Sequence, residues 1–484
     1  MSHENLKKNT IIGLIWKFSE NFGTQLISFV VQLVLARILL PEDYGIIAVT
    51  AVFIMIAQVF IQTGFSSVLI QKKEINDLET STIFHAGFMT SIVIFGIIFF
   101  IAPWIESFYN IESLALILRI QSVTIILSGL SSVQNALLVR HLAFKKTFIY
   151  RLLAVTVQGV VGIYMALNGF GIWAIVISNL VNTSLVTLSF WLIVKWKPKL
   201  IFSYKVFKEL FLYSSRILMF NLVNTIYNNI QALVIGKAFS TETLGYYNRG
   251  YQVPMLIMVN TDGAIHSVMF SSLSKVQDDR EKFLAIYRST IKSSVFIVFP
   301  MMIGLIAVAE PLTLFLLTDK WLGSVPFLQL TALICMTWPF SIIYQALNAE
   351  NQAKLSFRLN ALSKGIALIL LFISLPFGVY AFVFSAFISA IITLCINAFV
   401  LKKTYLYQLR TQFLDALGAL IASFGMGLVV YSVGFLIDHL IILLLVQGIT
   451  GISIYLLLSF VFNRETVKYL YFSIIDLIKP KKII

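Results

Sequence analysis

Seven polar side chains interrupt the first long apolar segment of the chain at helical spacing. They are Lys17, Glu20, Asn21, Thr24, Gln25, Ser28 and Gln32. At 100° per residue they fall within an arc of about 140°, which is one face of a helix. Amides and hydroxyls donate and accept hydrogen bonds, and lysine attracts anions, so the face suits a hydroxyl-rich, negatively charged ligand. The alternative is that the face joins helices through hydrogen bonds, with Lys17 paired to Glu20 one turn away.

A second apolar segment repeats this pattern 200 residues later. Its polar positions are Ser214, Asn221, Asn224, Thr225, Asn228 and Gln231. Arg216 lies at the edge of this face, at nearly the same depth as Lys17 in the first segment. Two related helices with matching polar faces predict a shared ligand cavity. The predicted binding residues are Lys17, Glu20, Asn21, Thr24, Arg216, Asn221, Asn224 and Asn228.

A few other polar residues lie inside apolar segments. Asp262 and His266 are four residues apart, which suits a proton or cation relay or, alternatively, a structural hydrogen bond. Arg119 lies near one end of its segment, and we expect its side chain to reach the membrane interface. Cys335 and Cys395 both fall in apolar segments, so we expect core packing rather than a disulfide or a metal site.

The composition indicates an integral membrane protein. Of its 484 residues, 59% are hydrophobic and 12% charged, whereas soluble domains are about 45–50% apolar. Because a spanning helix needs about 20 mostly apolar residues, we predict an all-α fold of about 14 transmembrane helices. They cover residues 11–36, 44–70, 81–103, 113–139, 149–167, 171–194, 208–238, 250–273, 290–317, 324–348, 355–375, 377–401, 412–436 and 440–462.

Lysines and arginines gather in alternate loops. With the N-terminus placed in the cytoplasm, only four of the 36 fall in outer loops: Arg37, Lys237, Arg249 and Lys320. Cytoplasmic loops of membrane proteins are enriched in these residues, so both termini are predicted to be cytoplasmic. The net charge of +14 therefore reflects topology, and we expect no nucleic-acid partner.

An internal repeat relates the two halves of the chain. The stretch "LARILLPEDYGIIAV" at 35–49 returns as "VIGKAFSTETLGYYN" at 234–248, with Glu42 and Gly45 matching Glu242 and Gly245. Six predicted helices precede the basic connection at 195–209, and the seventh begins the repeat of the first. We therefore expect two parallel six-helix lobes, residues 1–200 and 201–403, around a central cavity. Residues 404–484 add two C-terminal helices and a cytoplasmic tail. Such lobes permit alternating access by rocking.

Five motifs carry a resemblance to a known family. They are "NALLVRHLAFKKTFIYR" (135–151), "NGFGIWAIVISNL" (168–180), "KWKPKLIF" (195–202), "LGYYNRGYQVP" (244–254) and "FSSLSKVQDDREKFLAIYR" (270–288). In this order they resemble the polysaccharide-transport branch of the multidrug/oligosaccharidyl-lipid/polysaccharide exporter superfamily, over about residues 10–401. The family pattern places an Asp in helix seven where this chain has Gln231, which argues against ion coupling at that position.

The resemblance implies a flippase of the bacterial cytoplasmic membrane and no enzyme, so neither catalytic residues nor cofactors are predicted. Its substrate would be a polyprenyl-pyrophosphate-linked oligosaccharide, whose pyrophosphate would meet Lys17 and Arg216. The product would be lipopolysaccharide O-antigen, exopolysaccharide or a wall-linked polymer, with a polymerase and glycosyltransferases as partners. A multidrug or cation antiporter of the same superfamily is the alternative, followed by a membrane glycan polymerase or ligase, which generally needs an acidic base or a metal site on a sizeable outer loop.

Overall fold

The computed structural model describes residues 3–62, 69–70, 72, 75–276, 279–405, 407–464 and 466–468. Almost all of these residues are helical, and within these ranges no β-strand occurs. The α-helices are α1 (His3–Ile38), α2 (Pro41–Gln62), α3 (Asp77–Tyr109), α4 (Leu114–Arg140), α5 (Phe144–Leu167), α6 (Trp173–Ile193), α7 (Tyr204–Ala238), α8 (Thr241–Ser274), α9 (Arg280–Ala307), α10 (Ala309–Leu317), α11 (Val325–Cys335), α12 (Ile343–Ala349), α13 (Ala353–Ser374), α14 (Val379–Tyr405), α15 (Leu409–Val433) and α16 (Leu440–Phe462).

Helical segments lie within all fourteen predicted spans, and residues 63–68 of the second predicted span fall outside the described part of the chain. Twelve of them, within the described residues, are long and apolar enough to cross a bilayer. The remaining two, α7 and α8, have 35 and 34 residues but carry more polar and charged side chains, so the count of fourteen spans stays a prediction. The span predicted at 324–348 is a broken helix, in which 3₁₀ turns flank α11. Pro339 lies in the second of these turns and has no backbone N–H to continue an α-helix.

Local sequence fixes where α2 and α3 begin. Pro41 opens α2, with Glu42 and Asp43 in the first turn, where acidic side chains are favoured by the helix dipole. Asn76 caps α3 by accepting a hydrogen bond from the backbone N–H of Glu79 at 2.8 Å. The Glu79 carboxylate accepts from the Asn76 N–H in return, which completes a capping box.

The chain divides into two compact units, Met1–Gly245 and Tyr246–Ile484. In the first unit α3 packs against α4, α5 against α1 and α6, and α7 against α2 and α3. The unit thus includes α7 and the first residues of α8, beyond the predicted lobe boundary at 200. The reason is the packing of α7 on α2 and α3; the predicted division into lobes of 1–200 and 201–403 with an appendage of 404–484 remains a prediction.

The repeated turns meet each other within the first unit through a reciprocal glycine contact. A Cβ atom built on Gly45 would lie 1.8 Å from the carbonyl oxygen of Thr241, and one on Gly245 would lie 1.9 Å from the carbonyl oxygen of Pro41. Only glycine permits so close a backbone approach. The Thr241 hydroxyl also donates to the Glu42 carboxylate at 3.3 Å. The glycines kept at an offset of 200 therefore serve one symmetric contact between the turns.

In the second unit an ion cluster joins α9 to α15. Arg288 donates two hydrogen bonds of 2.8 Å to the two carboxylate oxygens of Asp415. Tyr407, between α14 and α15, donates its hydroxyl to Asp415 at 2.8 Å, and burial raises the pKa of that phenol, which keeps the donor proton in place. Lys292 lies 3.5 Å from the same carboxylate. The cluster fixes the first of the two C-terminal helices to the rest of its unit.

Candidate functional site

A buried acid on α1 holds two cations in the first unit. The side chain of Glu20 is 1% exposed, and its Oε1 lies 2.8 Å from Nζ of Lys17 and 3.2 Å from Nη1 of Arg151. An unpaired carboxylate at such a site would cost several kcal/mol. The two cations offset that cost, and together the three side chains carry one net positive charge.

Arg151 connects Glu20 to the neighbouring helices. It lies on α5, seven residues from Phe144 and so about 10 Å along the helix. Its Nη2 donates to Oδ1 of Asn135 on α4 at 3.4 Å, and its guanidinium lies 5.5 Å from the ring centre of Phe190 on α6. Four helices thus meet around this one guanidinium.

Arg151 also lines a half-open cavity of about 660 Å³ between α1, α4, α5 and α6, with Gln62 at the end of α2 in its wall as well. Hydroxyl side chains form much of its wall, among them Thr24, Ser28, Ser131, Ser132, Thr183 and Thr187. Asn135 and Asn182 add amides, and of the described residues that line the cavity Arg151 is the one with a charge. The cavity has the volume of a small-molecule site, and eleven of its sixteen described lining residues have polar side chains.

The polar groups of this site retain hydrogen-bonding capacity. Oε2 of Glu20, Nε of Arg151 and Oδ1 of Asn182 are buried and have no hydrogen-bond partner among the described residues. Buried polar groups are nearly always satisfied in folded proteins. Arg151 and Asn182 line the cavity, so their unpartnered atoms are what a site for a polar ligand or for water requires, whereas Glu20 lies behind the wall as the ionic partner of Arg151.

The predicted residues of α1 lie at this site or next to it. Thr24 lines the cavity and donates its hydroxyl to the backbone oxygen of Glu20 at 2.6 Å. Lys17, with a 39% exposed side chain, pairs with Glu20 and is not among the described residues that line the cavity. Asn21 is exposed. From the sequence, the alternative to a ligand-binding role for Lys17 was an ion pair with Glu20, and the structure contains this pair.

The predicted residues of α7 do not line this cavity. Asn221 and Asn224 are half-buried, and Asn228 and Arg216 are exposed, on a helix that packs against α2 and α3. Their role as a second face of the same ligand site therefore stays a prediction. Asp262 and His266, the predicted ion-coupling pair on α8, have side chains outside the described part of the chain.

Arg151 is the site residue that sequence analysis misses. The basic run before it suggests a cytoplasmic loop and a helix that starts near 149, whereas α5 starts at Phe144. Thr147, Arg151 and Gln158 nevertheless repeat at helical spacings of four and seven residues. That polar face is the signal that would have indicated that Arg151 faces neighbouring helices rather than the cytoplasm.

The fold has counterparts among solved membrane transporters. Lipid II flippase MurJ, in an inward closed conformation, matches with a TM-score of 0.76 and 20% identity over 94% of this chain and 100% of that chain. An inward-facing multidrug resistance MATE family transporter of the MOP superfamily matches with a TM-score of 0.57 and 16% identity over 79% of this chain and 96% of that chain. At these identities the likeness concerns the fold alone. The protein has the all-helical, two-lobe transporter fold, and the predicted fold class is confirmed apart from the exact count of fourteen spans.

Residues 34–326 match the model of a family described as polysaccharide biosynthesis protein. The chain belongs to this family. The matched region of this polysaccharide biosynthesis protein runs from the last turn of α1 into α11, and it includes Arg151 and most of the cavity. The resemblance deduced from the five sequence motifs is confirmed.

Curated relatives of this polysaccharide biosynthesis protein come from several bacteria. Teichuronic acid biosynthesis protein TuaB of Bacillus subtilis is 25% identical over 57% of this chain and 58% of its own length. Succinoglycan biosynthesis transport protein ExoT of Rhizobium meliloti is 27% identical over 66% of this chain and 64% of its own length. Lipopolysaccharide biosynthesis protein WzxC of Escherichia coli is 24% identical over 88% of this chain and 89% of its own length. The chain thus spans less than two thirds of TuaB and ExoT, and most of WzxC.

Proposed function

We propose that the protein is a flippase for a polyprenyl-pyrophosphate-linked oligosaccharide. It moves this cargo from the cytoplasmic to the outer leaflet of the bacterial cytoplasmic membrane for the synthesis of a surface polysaccharide. The observation that carries the proposal is the hydroxyl- and amide-lined cavity beside Arg151, inside a membrane-embedded unit of a polysaccharide biosynthesis protein. The name of ExoT, a succinoglycan biosynthesis transport protein, supports a transporter rather than an enzyme, and the name of WzxC, a lipopolysaccharide biosynthesis protein, supports a surface polysaccharide as the product.

Within this function the polar residues of α1 and α7 bind the cargo. Lys17 and Arg216 attract the pyrophosphate from the cytoplasmic side, because both are cations near the cytoplasmic halves of their helices. Hydrogen bonds to the sugars come from Asn21 and Thr24 on α1 and from the three predicted asparagines on α7. Glu20 lowers the net positive charge of these cargo-binding residues by pairing with Lys17. Asp262 and His266 remain the candidates for ion coupling.

Transport proceeds by alternating access. The contact between the repeated turns at Gly45 and Gly245 supports a closed outer side in this conformation, with both turns on the outer face and both termini in the cytoplasm. Release of the cargo then requires the two turns to separate. A polymerase and glycosyltransferases act on the same lipid-linked sugars before and after the transport step.

Depletion of the protein in its own bacterium tests the function. Lipid-linked oligosaccharides are extracted and analysed by mass spectrometry, and their leaflet is read from accessibility to an added impermeant glycosidase. Accumulation of a complete repeat unit on the cytoplasmic side is the expected result, and its mass identifies the glycan. Unchanged lipid intermediates together with drug hypersensitivity would instead identify the antiporter. An accumulated incomplete glycan would point to an enzyme of the same pathway.

A further inference from the structure

We propose that the cavity between α1, α4, α5 and α6 is a subsite for an anionic sugar unit of the cargo, with Arg151 holding its carboxylate or phosphate. This subsite rests on the proposed function, because it assigns one part of the oligosaccharide to one place in the first unit. It adds Arg151, Asn135 and Asn182 to the residues that contact the cargo.

Several hydroxyl groups of the cavity wall have acceptor capacity to spare. Ser131 and Ser132 donate their hydroxyl protons to backbone oxygens of their own helix, both at 3.0 Å. Thr187 likewise donates to the backbone oxygen of Leu127 at 3.1 Å. A hydroxyl that donates in this way keeps its lone pairs for an incoming donor, and Oδ1 of Asn182 is a further acceptor. A sugar, whose surface carries many hydroxyl donors, complements such walls.

Arg151 supplies the donors that an acidic group needs. Its guanidinium has five N–H donors, and the described contacts use few of them: an ion pair of 3.2 Å to Glu20 and one long hydrogen bond of 3.4 Å to Asn135. The side chain lines the cavity and is 35% exposed, so a ligand in the cavity can reach its exposed edge. Phe190 lies 5.5 Å from the guanidinium and holds it in place. A carboxylate or phosphate on that edge receives charge-assisted hydrogen bonds.

The charge around the cavity selects against a metal cation as the ligand. Oxygen acceptors alone would also suit a hard cation. Such sites, however, use acidic ligands, and of the described lining residues Arg151 is the charged one. The nearby carboxylate of Glu20 is already shared between Lys17 and Arg151. The net positive charge therefore repels a cation and attracts an anionic polyol.

Two acidic groups of the cargo have this chemistry. One is the phosphate on the first sugar, and the other is a carboxylate on an acidic sugar within the repeat unit. Both place a negative group next to a ring with several hydroxyls. The experiment below separates them by using one probe for each group.

Protection of an introduced thiol tests the subsite. The full chain with Cys335→Ala and Cys395→Ala receives Ser132→Cys in the cavity wall, a near-isosteric change. The purified protein is labelled with a water-soluble thiol reagent in the presence of glucose 1-phosphate, glucuronic acid or glucose at equal ionic strength. We expect one or both anionic sugars to slow labelling several-fold and glucose to have little effect. The acidic probe that protects identifies the group that Arg151 holds.

Variants identify the protecting residue. Arg151→Gln should weaken binding of the protecting probe about tenfold, as expected for the loss of a charge-assisted hydrogen bond. Arg119→Gln is the matched control, because Arg119 also stacks on a phenylalanine, Phe99 at 4.5 Å, but lies outside the cavity, and it should retain full protection. Asn182→Leu removes a wall acceptor without touching the ion pair, and it should weaken protection even if Arg151→Gln reduces the yield of folded protein.

Three results would overturn the subsite. They are equal labelling with and without the acidic probes, equal protection by glucose, and full protection in the double variant Glu20→Gln with Arg151→Gln. The last result would make Arg151 merely the partner of Glu20. The labelling assay measures binding at the subsite only. A negative result in it would reject the subsite but not the flippase function, which the depletion experiment tests. A depletion experiment without accumulated lipid-linked glycan would reject the flippase itself.

Discussion

Lys17 and Arg151 approach the same carboxylate oxygen, Oε1 of the buried Glu20, at 2.8 and 3.2 Å. One cation comes from the acid's own helix and the other from α5. Glu20 therefore keeps an ionic partner when either cation is removed. This redundancy makes it practical to separate the structural role of each cation from its role in binding cargo.

The first prediction concerns Lys17. Lys17→Arg should retain part of the transport activity, whereas Lys17→Gln and Lys17→Ala should lose most of it, because the pyrophosphate is attracted by charge rather than by shape. Arg151 still pairs with Glu20 in these variants, so the amount of protein in the membrane should be normal. Transport is measured as rescue of surface polysaccharide in a depleted strain, and protein amount by immunoblot.

The double variant Lys17→Gln with Glu20→Gln is the control for this prediction. A residue that only neutralises Glu20 becomes dispensable when the acid is removed. Transport should remain low in the double variant. Its recovery would show that Lys17 is a structural partner of Glu20, and the assignment of Lys17 to pyrophosphate binding would have to be withdrawn.

The second prediction concerns the repeated glycines. Gly45→Ala and Gly245→Ala each place a methyl group within 2 Å of a backbone oxygen, so the two turns must separate. We expect each change to destabilise this conformation by about 1–3 kcal/mol, as overpacking does, and to lower the thermal midpoint of the purified protein. Gly96→Ala is the matched control, because a Cβ on that glycine has no neighbour within 4 Å. Equal midpoints for Gly45→Ala and Gly96→Ala would contradict the contact.

The third prediction concerns movement of the same turns. Spin labels on cysteines introduced at positions 41 and 241 should report a short distance in this conformation and a longer one when cargo drives the outer side open. The parent protein for this measurement carries Cys335→Ala and Cys395→Ala. A distance that stays fixed across all ligand conditions would exclude rocking of these turns as the transport step.

The fourth prediction concerns the cluster around Asp415, whose side chain is 6% exposed. Asp415→Asn removes the charge that Arg288 and Lys292 share, and we expect a loss of about 1–3 kcal/mol, moderated because the Arg288 side chain is 39% exposed. Thermal unfolding in detergent measures this loss. Asp279→Asn breaks an exposed pair with Lys282 and should change the midpoint little. A similar midpoint in both variants would mean that the cluster does not anchor α15.

The fifth prediction concerns topology. Reporters fused after Lys197 and after Lys403 should be active in the cytoplasm, and a tag inserted near Thr243 should be accessible from outside. The reason is that lysines and arginines crowd the loops on one side. If positions 197 and 243 report from the same side, α7 does not cross the membrane and the fourteen-span topology fails.

The sequence by itself determined the class of the protein and the order of its helices. Apolar runs of about 20 residues have few alternatives to a spanning helix, because backbone groups in lipid must be hydrogen-bonded within the segment. The repeat of Glu42 and Gly45 as Glu242 and Gly245 was visible in the sequence for a similar local reason. A turn between two helices restricts the residue types at a few consecutive positions. The polar face of α1 followed from helical periodicity alone.

Only the tertiary structure decided which polar residues meet. Glu20 and Arg151 are 131 positions apart in sequence, and no local pattern specifies the packing of α5 on α1 that brings them to 3.2 Å. The same holds for Asn135 and Phe190, which reach Arg151 because α4 and α6 pack beside α5. Periodicity tells which side of a helix is polar, but the partner of that side depends on how all the helices fill space together. For that reason the sequence indicated a polar ligand, and the folded chain supplied its cavity.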